Sequence, residues 1–183
     1  MKNFGGIKKI LFLALIGALT LAISILIIVT ISPLLLENLS SGGQSAIKEK
    51  APDFILLDSS GRSVKLSDFA GKKIVLLFWT SWNEVSLEAL DILNDYARFP
   101  AAKDTVFLAI NSEEDKNVVT DIARDQGVSI NLLLDTDGAV GEAYQIGTLP
   151  LTVFIDGGRF IAKEMVGSLS ADILQDILTN IGA

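Results

Sequence analysis

The residue types that most often carry enzyme chemistry are missing from this chain of 183 residues. It contains no cysteine and no histidine. Disulfide bonds, thiol nucleophiles, haem attachment through cysteine and the usual zinc sites all require these side chains. A serine nucleophile also needs an adjacent base, a role that histidine fills in the Ser-His relay. The composition therefore excludes most of the catalytic mechanisms that a chain of this size could house.

The remaining candidates are one serine and two acidic runs. Ser86 has no lysine near it in the sequence to act as a base, so we interpret it, together with Asn83, as a helix-entry residue. Asp135–Gly138 begins like a calcium loop, but Val140 stands where a ligand should follow, which indicates a turn into a helix. We interpret Glu113–Asp115 as charge that complements a helix N-terminus. The sequence therefore predicts no catalytic residue, no metal and no cofactor.

The elements that position these residues follow from the hydrophobic pattern. The run Ile74–Trp79 is apolar throughout and partly β-branched, which is typical of a central strand buried on both faces. Further strands are predicted at 54–57, 63–66, 105–110, 132–134, 151–155 and 160–166, and helices at 84–98, 113–126, near Tyr144 and at 170–181. Strands that alternate with helices predict a mixed sheet covered on both faces.

The first 36 residues differ in composition from the rest of the chain. Residues 10–36 contain no charged side chain, and three lysines precede them. The stretch Ile10–Ile31, at about 1.5 Å per residue, is long enough to cross a hydrocarbon core of about 30 Å. We predict an uncleaved transmembrane anchor at 10–36 with residues 1–9 in the cytoplasm, because positive charge flanks only the N-terminal side. A cleaved signal peptide is the alternative, but its apolar core is normally shorter.

The residues after the anchor form a linker and one folded domain. Residues 37–50 include a stretch of small polar side chains typical of a flexible linker, and residues 51–183 are numerous enough to bury a core. With three of the 15 basic residues before the anchor, the remainder carries 12 basic and 22 acidic residues. A domain this acidic repels phosphate backbones, so a nucleic-acid partner is excluded.

Short motifs spread over residues 51–183 form a specific combination. They are Ala51-Pro52-Asp53-Phe54, Gly61, Leu66, Gly71-Lys72, Phe78-Trp79-Thr80-Ser81-Trp82, Leu134-Asp135, Asp137-Gly138, Tyr144-Gln145-Ile146, Pro150, Phe154-Ile155-Asp156 and Gly167. The combination resembles the TlpA/ResA-type, redoxin-like (AhpC/TSA-like) branch of the thioredoxin superfamily. The resemblance implies an α/β thioredoxin-like fold, with a mixed central sheet flanked by helices, here preceded by one N-terminal transmembrane helix. It also implies a domain on the outer, periplasmic or extracellular, side of the membrane.

The chemistry of the family resides in Trp-Cys-x-x-Cys at the start of the first long helix. In this chain Asn83 and Ser86 stand at the two cysteine positions, and Ala89 stands where the family has an acidic residue. A helix N-terminus makes a thiol reactive by lowering its pKa, but it does not activate an amide or an isolated hydroxyl in a comparable way. The resemblance therefore predicts a chain that does not catalyse thiol redox chemistry by itself.

The same resemblance predicts where a client would bind. The tryptophan equivalent to Trp82 lines the substrate groove of the family, and Pro150 matches a cis-proline beside that groove. The backbone before the cis-proline, at Leu149, pairs with an extended client segment. The predicted client-binding groove therefore comprises Trp82, Asn83, Ser86, Leu149 and Pro150. A Trp82 that is merely packed and an ordinary trans-proline are the alternatives.

These features favour a membrane-anchored, extracytoplasmic binding or scaffold module. Its predicted partners are the membrane, through the N-terminal helix, and an exported or membrane protein client. A first alternative is a thiol-disulfide oxidoreductase of the cytochrome-maturation type that works with the cysteines of a partner. A second alternative is a structural subunit of a membrane complex.

Overall fold

The computed structural model describes residues 49–182. The chain divides between Ile47 and Lys48 into two units, and the described residues belong to the second one. The predicted cytoplasmic segment 1–9, the anchor 10–36 and nearly all of the linker 37–50 lie outside the described residues. Within the described part, none of the helices has the length and apolar character needed to cross a membrane.

In the described part of the chain, seven strands form one mixed sheet in the order β2-β1-β5-β4-β3-β6-β7. The strands are β1 (Ile55–Asp58), β2 (Ser63–Lys65), β3 (Lys73–Trp79), β4 (Thr105–Ser112), β5 (Asn131–Asp135), β6 (Leu151–Ile155) and β7 (Ile161–Val166). The central strands β3, β4 and β5 are parallel, whereas β1, β2, β6 and β7 are antiparallel to their neighbours. The predicted mixed sheet is confirmed.

Between residues 49 and 182, four α-helices and two 3₁₀ turns accompany the sheet. The helices are α1 (Glu84–Tyr96), α2 (Lys116–Asp125), α3 (Ala139–Ala143) and α4 (Ala171–Asn180), and the 3₁₀ turns are Leu66–Phe69 and Pro100–Ala102. Helices α1, α2 and α4 contribute to the core on one face of the sheet, and α3 with the segment around Phe54 contributes to the core on the other. Both faces are covered, as the sequence predicts.

Strand β3 shows why the continuous apolar run is needed. Val75, Leu77 and Trp79 pack in the core beneath α1 and α4. The alternate side chains of the strand, which include Phe78, pack in the opposite core around Tyr144. Successive strand residues point to opposite faces, so a strand covered on both sides must be apolar at nearly every position.

The largest departure from the predicted boundaries lies at the start of α2. The sequence predicts this helix from Glu113, but it begins at Lys116 because Glu113 has a φ of +58° and cannot continue a right-handed helix. Helix α1 also ends at Tyr96, two residues before the predicted end. The cap of the last helix is confirmed, since the Ser170 hydroxyl accepts a hydrogen bond from the amide of Ile173 at 3.3 Å.

Candidate functional site

Asn83 connects two segments that are far apart in the sequence. It is the N-cap of α1, where its Oδ1 accepts a hydrogen bond from the Ser86 amide at 3.2 Å. Its Nδ2 donates to the Leu149 carbonyl at 3.1 Å. An Asn at an N-cap satisfies one of the free amides of the first turn. The prediction of a helix-entry role is confirmed for Asn83, and the second bond ties α1 to the segment before Pro150.

Ser86 lies below the site surface rather than in it. The residue is fully buried, and within the described part its hydroxyl has no hydrogen-bond partner. It lies within the first turn of α1, on the side of the helix that also carries the core residues Ala89 and Leu90. The inclusion of Ser86 among the client-binding residues stays a prediction, although its side chain is fully buried and does not line the groove described below.

The segment that enters β6 forms the opposite wall. The Leu149–Pro150 peptide bond is cis, as the resemblance predicts, and the alternative of a trans-proline is wrong. Pro150 is buried, and its carbonyl accepts a hydrogen bond from the Gly167 amide at 2.9 Å. Leu149 lies at the groove surface with its carbonyl bound by Asn83. Within residues 49–182, the Leu149 amide donates no hydrogen bond.

The two tryptophans of the site differ in burial. Trp79 is fully buried in the core at the end of β3. Trp82 has 73% of its surface exposed, just before the N-cap of α1. The alternative that Trp82 is merely packed is wrong. An exposed tryptophan offers a large apolar area together with one hydrogen-bond donor.

These residues border an open groove of about 770 Å³. Trp82, Asn83, Ile146 and Leu149 supply part of its lining. The rest comes from the ends of β4 and β5 with the loops that follow them, from helix α3 and from residues 147–148. Its charged members are Glu113, Asp135, Asp137 and Glu142. The lining combines apolar, hydrogen-bonding and acidic groups but contains no thiol and no adjacent nucleophile-base pair. An open groove with apolar side chains and a few convergent polar groups is the usual form of a ligand-binding surface.

Glu114 holds the loop that carries Trp82, a role that its sequence context does not predict. Its carboxylate accepts hydrogen bonds from the Ser81 amide at 2.7 Å, the Ser81 hydroxyl at 2.5 Å and the Asn111 amide group at 2.7 Å. It thereby fastens the loop before α1 to the end of β4. The interpretation of Glu113–Asp115 as helix-capping charge is wrong for Glu114. The contact joins positions 33 residues apart, so no local pattern could have revealed it.

The Asp135–Gly138 segment forms the predicted turn into a helix. Asp135 Oδ1 accepts from the Val140 amide at 3.1 Å and Oδ2 from the Gly141 amide at 2.8 Å. Asp137 Oδ1 accepts from the Ala139 amide at 3.2 Å. These bonds satisfy amides of the first turn of α3, which otherwise lack partners. Both carboxylates therefore serve the start of a helix.

Comparisons with known proteins agree with this architecture. Residues 47–164 match the AhpC/TSA family. The thiol-disulfide oxidoreductase ResA of Bacillus subtilis strain 168 is 31% identical over 147 residues, which are 79% of this chain and 82% of that protein.

Solved structures give the same result for the fold. A protein from Chlorobium tepidum described as a thiol:disulfide interchange protein DsbE aligns with a TM-score of 0.66 and 25% identity, over 72% of this chain and 94% of its own. StoA from Bacillus subtilis aligns with a TM-score of 0.63 and 21% identity, over 70% of this chain and 97% of its own. The described domain therefore has a thioredoxin-like fold.

The match covers more than half of the chain, and the ResA relative exceeds 30% identity over most of both sequences. The thiol pair for which these oxidoreductases are named has no counterpart here, because the chain has no cysteine. The chain belongs to the AhpC/TSA family as a ResA-like, thioredoxin-fold member in which the Cys-x-x-Cys cysteines are replaced.

Proposed function

We propose that this chain is a membrane-anchored, extracytoplasmic client-binding protein that does not perform thiol-disulfide exchange by itself. The proposal rests on the two hydrogen bonds that the Asn83 side chain makes. This side chain caps α1 and binds the Leu149 carbonyl, so it is a structural link at the place where the resemblance puts the attacking thiol. An open groove with Trp82 exposed at its border lies beside Asn83 and supports a binding role.

The client is an exported or membrane protein that presents an extended segment to the groove. Such a segment pairs with a free backbone donor by strand addition, and the Leu149 amide is a donor of this kind. Trp82 supplies the apolar contact area next to it. Ser86 and Pro150 are buried next to the groove residues: the Ser86 amide donates to Asn83, and Pro150 follows Leu149 in the chain.

Binding without a mixed disulfide relies on this non-covalent surface alone. A small contact area normally supports weak, transient association. Attachment to the membrane raises the effective concentration of the domain relative to a membrane-bound or exported client, which makes a weak affinity sufficient.

The anchor rests on residues 10–36 and on the lysines that precede them. Protease added to spheroplasts should digest the domain without lysis of the cells. Digestion that occurs only after lysis would place the domain in the cytoplasm and would overturn the proposed topology.

The names of the relatives favour one alternative, a thiol-disulfide oxidoreductase that uses the cysteines of a partner. An insulin-reduction assay separates the two functions when it is run with the full chain, alone and together with the client it captures. We expect no turnover above that of the client alone. A rate that rises when the full chain is added would favour the oxidoreductase.

Capture of the client tests the groove itself. The full chain is purified from native membranes and its co-purifying proteins are identified by mass spectrometry. Trp82→Ala should reduce capture of an identified exported or membrane protein by about tenfold. An aromatic anchor that becomes buried on binding contributes roughly 1–2 kcal/mol or more. Lys163→Ala, an exposed change on β7, is the control and should capture as the wild type does.

A further inference from the structure

The charges that border the groove are of one sign. Among the described residues that line it, the charged side chains are Glu113, Asp135, Asp137 and Glu142, and no lysine or arginine is present. A concave surface lined by charges of one sign concentrates its field and attracts groups of the opposite sign.

The four carboxylates are not equivalent. Asp135 is buried and Asp137 accepts a backbone hydrogen bond, so both are engaged at the start of α3. Glu113 and Glu142 are exposed, and within the described residues neither carboxylate takes part in a hydrogen bond or an ion pair. These two glutamates are therefore the ones with capacity to bind a ligand.

Acidic residues elsewhere in the domain are used differently. Asp53 lies 3.2 Å from a guanidinium nitrogen of Arg159, and Asp58 lies 2.8 Å from Nε of Arg62. The domain therefore pairs some of its acids with basic side chains, whereas none of the groove acids has a basic partner among the described residues.

The side chain of Glu113 has a defined place at the groove. A Cβ atom on Gly138 would lie 2.7 Å from Glu113 Oε1, a distance too short for two unbonded atoms. The glycine therefore leaves space for the carboxylate beside the turn that carries Asp137. The Glu113 amide also donates to the Asp135 carbonyl at 3.0 Å, which holds its backbone against the same turn.

The groove also offers groups that suit a polypeptide. The exposed ring of Trp82 can contact the alkyl part of a long side chain and attract its cationic end. The Leu149 amide is a donor with no acceptor among the described residues. An aromatic face, free carboxylates and an unpaired backbone donor together match an extended segment with positively charged side chains.

We propose that the groove selects a client segment that carries lysine or arginine, with Glu113 and Glu142 binding its cationic groups and Trp82 contacting their apolar stems. This inference rests on the proposed function, since it specifies the client of the same groove. Exposed charge pairs contribute little individually, so selectivity comes from the two glutamates acting with the tryptophan.

The test uses the full chain and three peptides of one length and one apolar pattern that carry lysine, glutamine or glutamate at the variable positions. Binding is followed by acrylamide quenching of Trp82, which is readily monitored because the other tryptophan, Trp79, is buried. We expect the lysine peptide to protect Trp82 and to bind at least fivefold more tightly than the glutamine peptide. The glutamate peptide should bind most weakly, and added salt should reduce the difference.

The double substitution Glu113→Gln/Glu142→Gln should weaken the binding of the lysine peptide about fivefold to tenfold. It should leave the binding of the glutamine peptide unchanged. Glu88→Gln/Glu164→Gln, at exposed glutamates outside the groove lining, is the matched control and should bind as the wild type does. Equal binding of the lysine and glutamine peptides in the wild type overturns the cationic selectivity but leaves the client-binding function intact. The proposed function itself is overturned if no peptide protects Trp82 and if Trp82→Ala leaves the capture of the client unchanged.

Discussion

Two buried polar residues of this domain have opposite hydrogen-bonding states. Asp58, in the turn between β1 and β2, accepts hydrogen bonds from the amide and hydroxyl of Ser60 and from the amide and guanidinium of Arg62. Ser86, beneath the groove, is equally buried but its hydroxyl has no partner in the described part of the chain. One site is fully satisfied and the other is not.

The difference separates a residue that stabilises the fold through hydrogen bonds from a residue that does not. A buried polar group without a partner lowers stability, whereas a fully bonded one organises its turn. The hydroxyl at position 86 does not stabilise the domain through hydrogen bonding. Its position matches that of a family thiol, a group that can be buried without a strong hydrogen bond.

The largest expected effect concerns the satisfied site. Asp58→Ala should lower the free energy of unfolding by about 2–3 kcal/mol, because the amides of Ser60 and Arg62 lose their acceptor. Urea denaturation of the full chain followed by tryptophan fluorescence measures the change. Asp104→Ala, at an exposed acid before β4, is the control and should change stability by less than about 0.5 kcal/mol.

The contribution of Asp58 to stability should depend on pH. Burial by itself raises the pKa of Asp58, but the hydrogen bonds and charge of Ser60 and Arg62 outweigh it and lower the pKa from 3.8 to about 2. The folded state thus binds fewer protons here than the unfolded state, and the stabilisation present above pH 4 is lost as the pH falls towards 2. In thermal unfolding between pH 5 and 2, the melting temperature should fall less for Asp58→Asn than for the wild type. Parallel curves would contradict this assignment.

Asn83 should have an intermediate effect. Asn83→Ala removes both the cap of α1 and the bond to Leu149, so we expect a loss of about 1–2 kcal/mol in urea denaturation. Asn83→Asp keeps the capping acceptor but cannot donate to the Leu149 carbonyl. It should therefore recover most of the stability without the link between the two segments. Equal losses in the two variants would show that the link, and not the cap, provides the stability.

The smallest expected effect is at Ser86. Ser86→Ala should leave the free energy of unfolding within about 0.5 kcal/mol of the wild type or raise it, because an unpaired buried hydroxyl is replaced by hydrogen. Ser81→Ala provides the contrast, since it removes a hydrogen bond to Glu114 and should lower stability by about 1 kcal/mol. A larger loss at position 86 than at position 81 would contradict the comparison.

The sequence predicts the features that depend on local pattern. The apolar run of β3, the caps at Asn83 and Ser170 and the turn at Asp135 each have a local chemical signature, and each is found in the structure. The groove residues Trp82 and Leu149 came from motif resemblance, and the fold brings them together.

The features that escaped prediction depend on contacts between distant segments. The bond from Asn83 to Leu149 joins positions 66 residues apart, and Glu114 meets Ser81 across two loops. Neither pairing leaves a periodic signal. The burial of Ser86 depends on which side of α1 packs against the sheet, and the acidic wall formed by Glu113 and Glu142 depends on the approach of α3 to the β4–α2 loop.

The central claim is that the binding surface at the start of α1 has been kept although the thiol chemistry is absent. Photocrosslinking tests it most directly, with a photoreactive residue placed at Thr148 in the groove or at exposed Phe99 beyond the other end of α1. The two ends of this 13-residue helix are about 20 Å apart. In native membranes we predict an adduct with one exported or membrane protein from position 148, absent from position 99 and lost on Trp82→Ala. An adduct from position 99 alone, or one from position 148 that persists without Trp82, would contradict the claim.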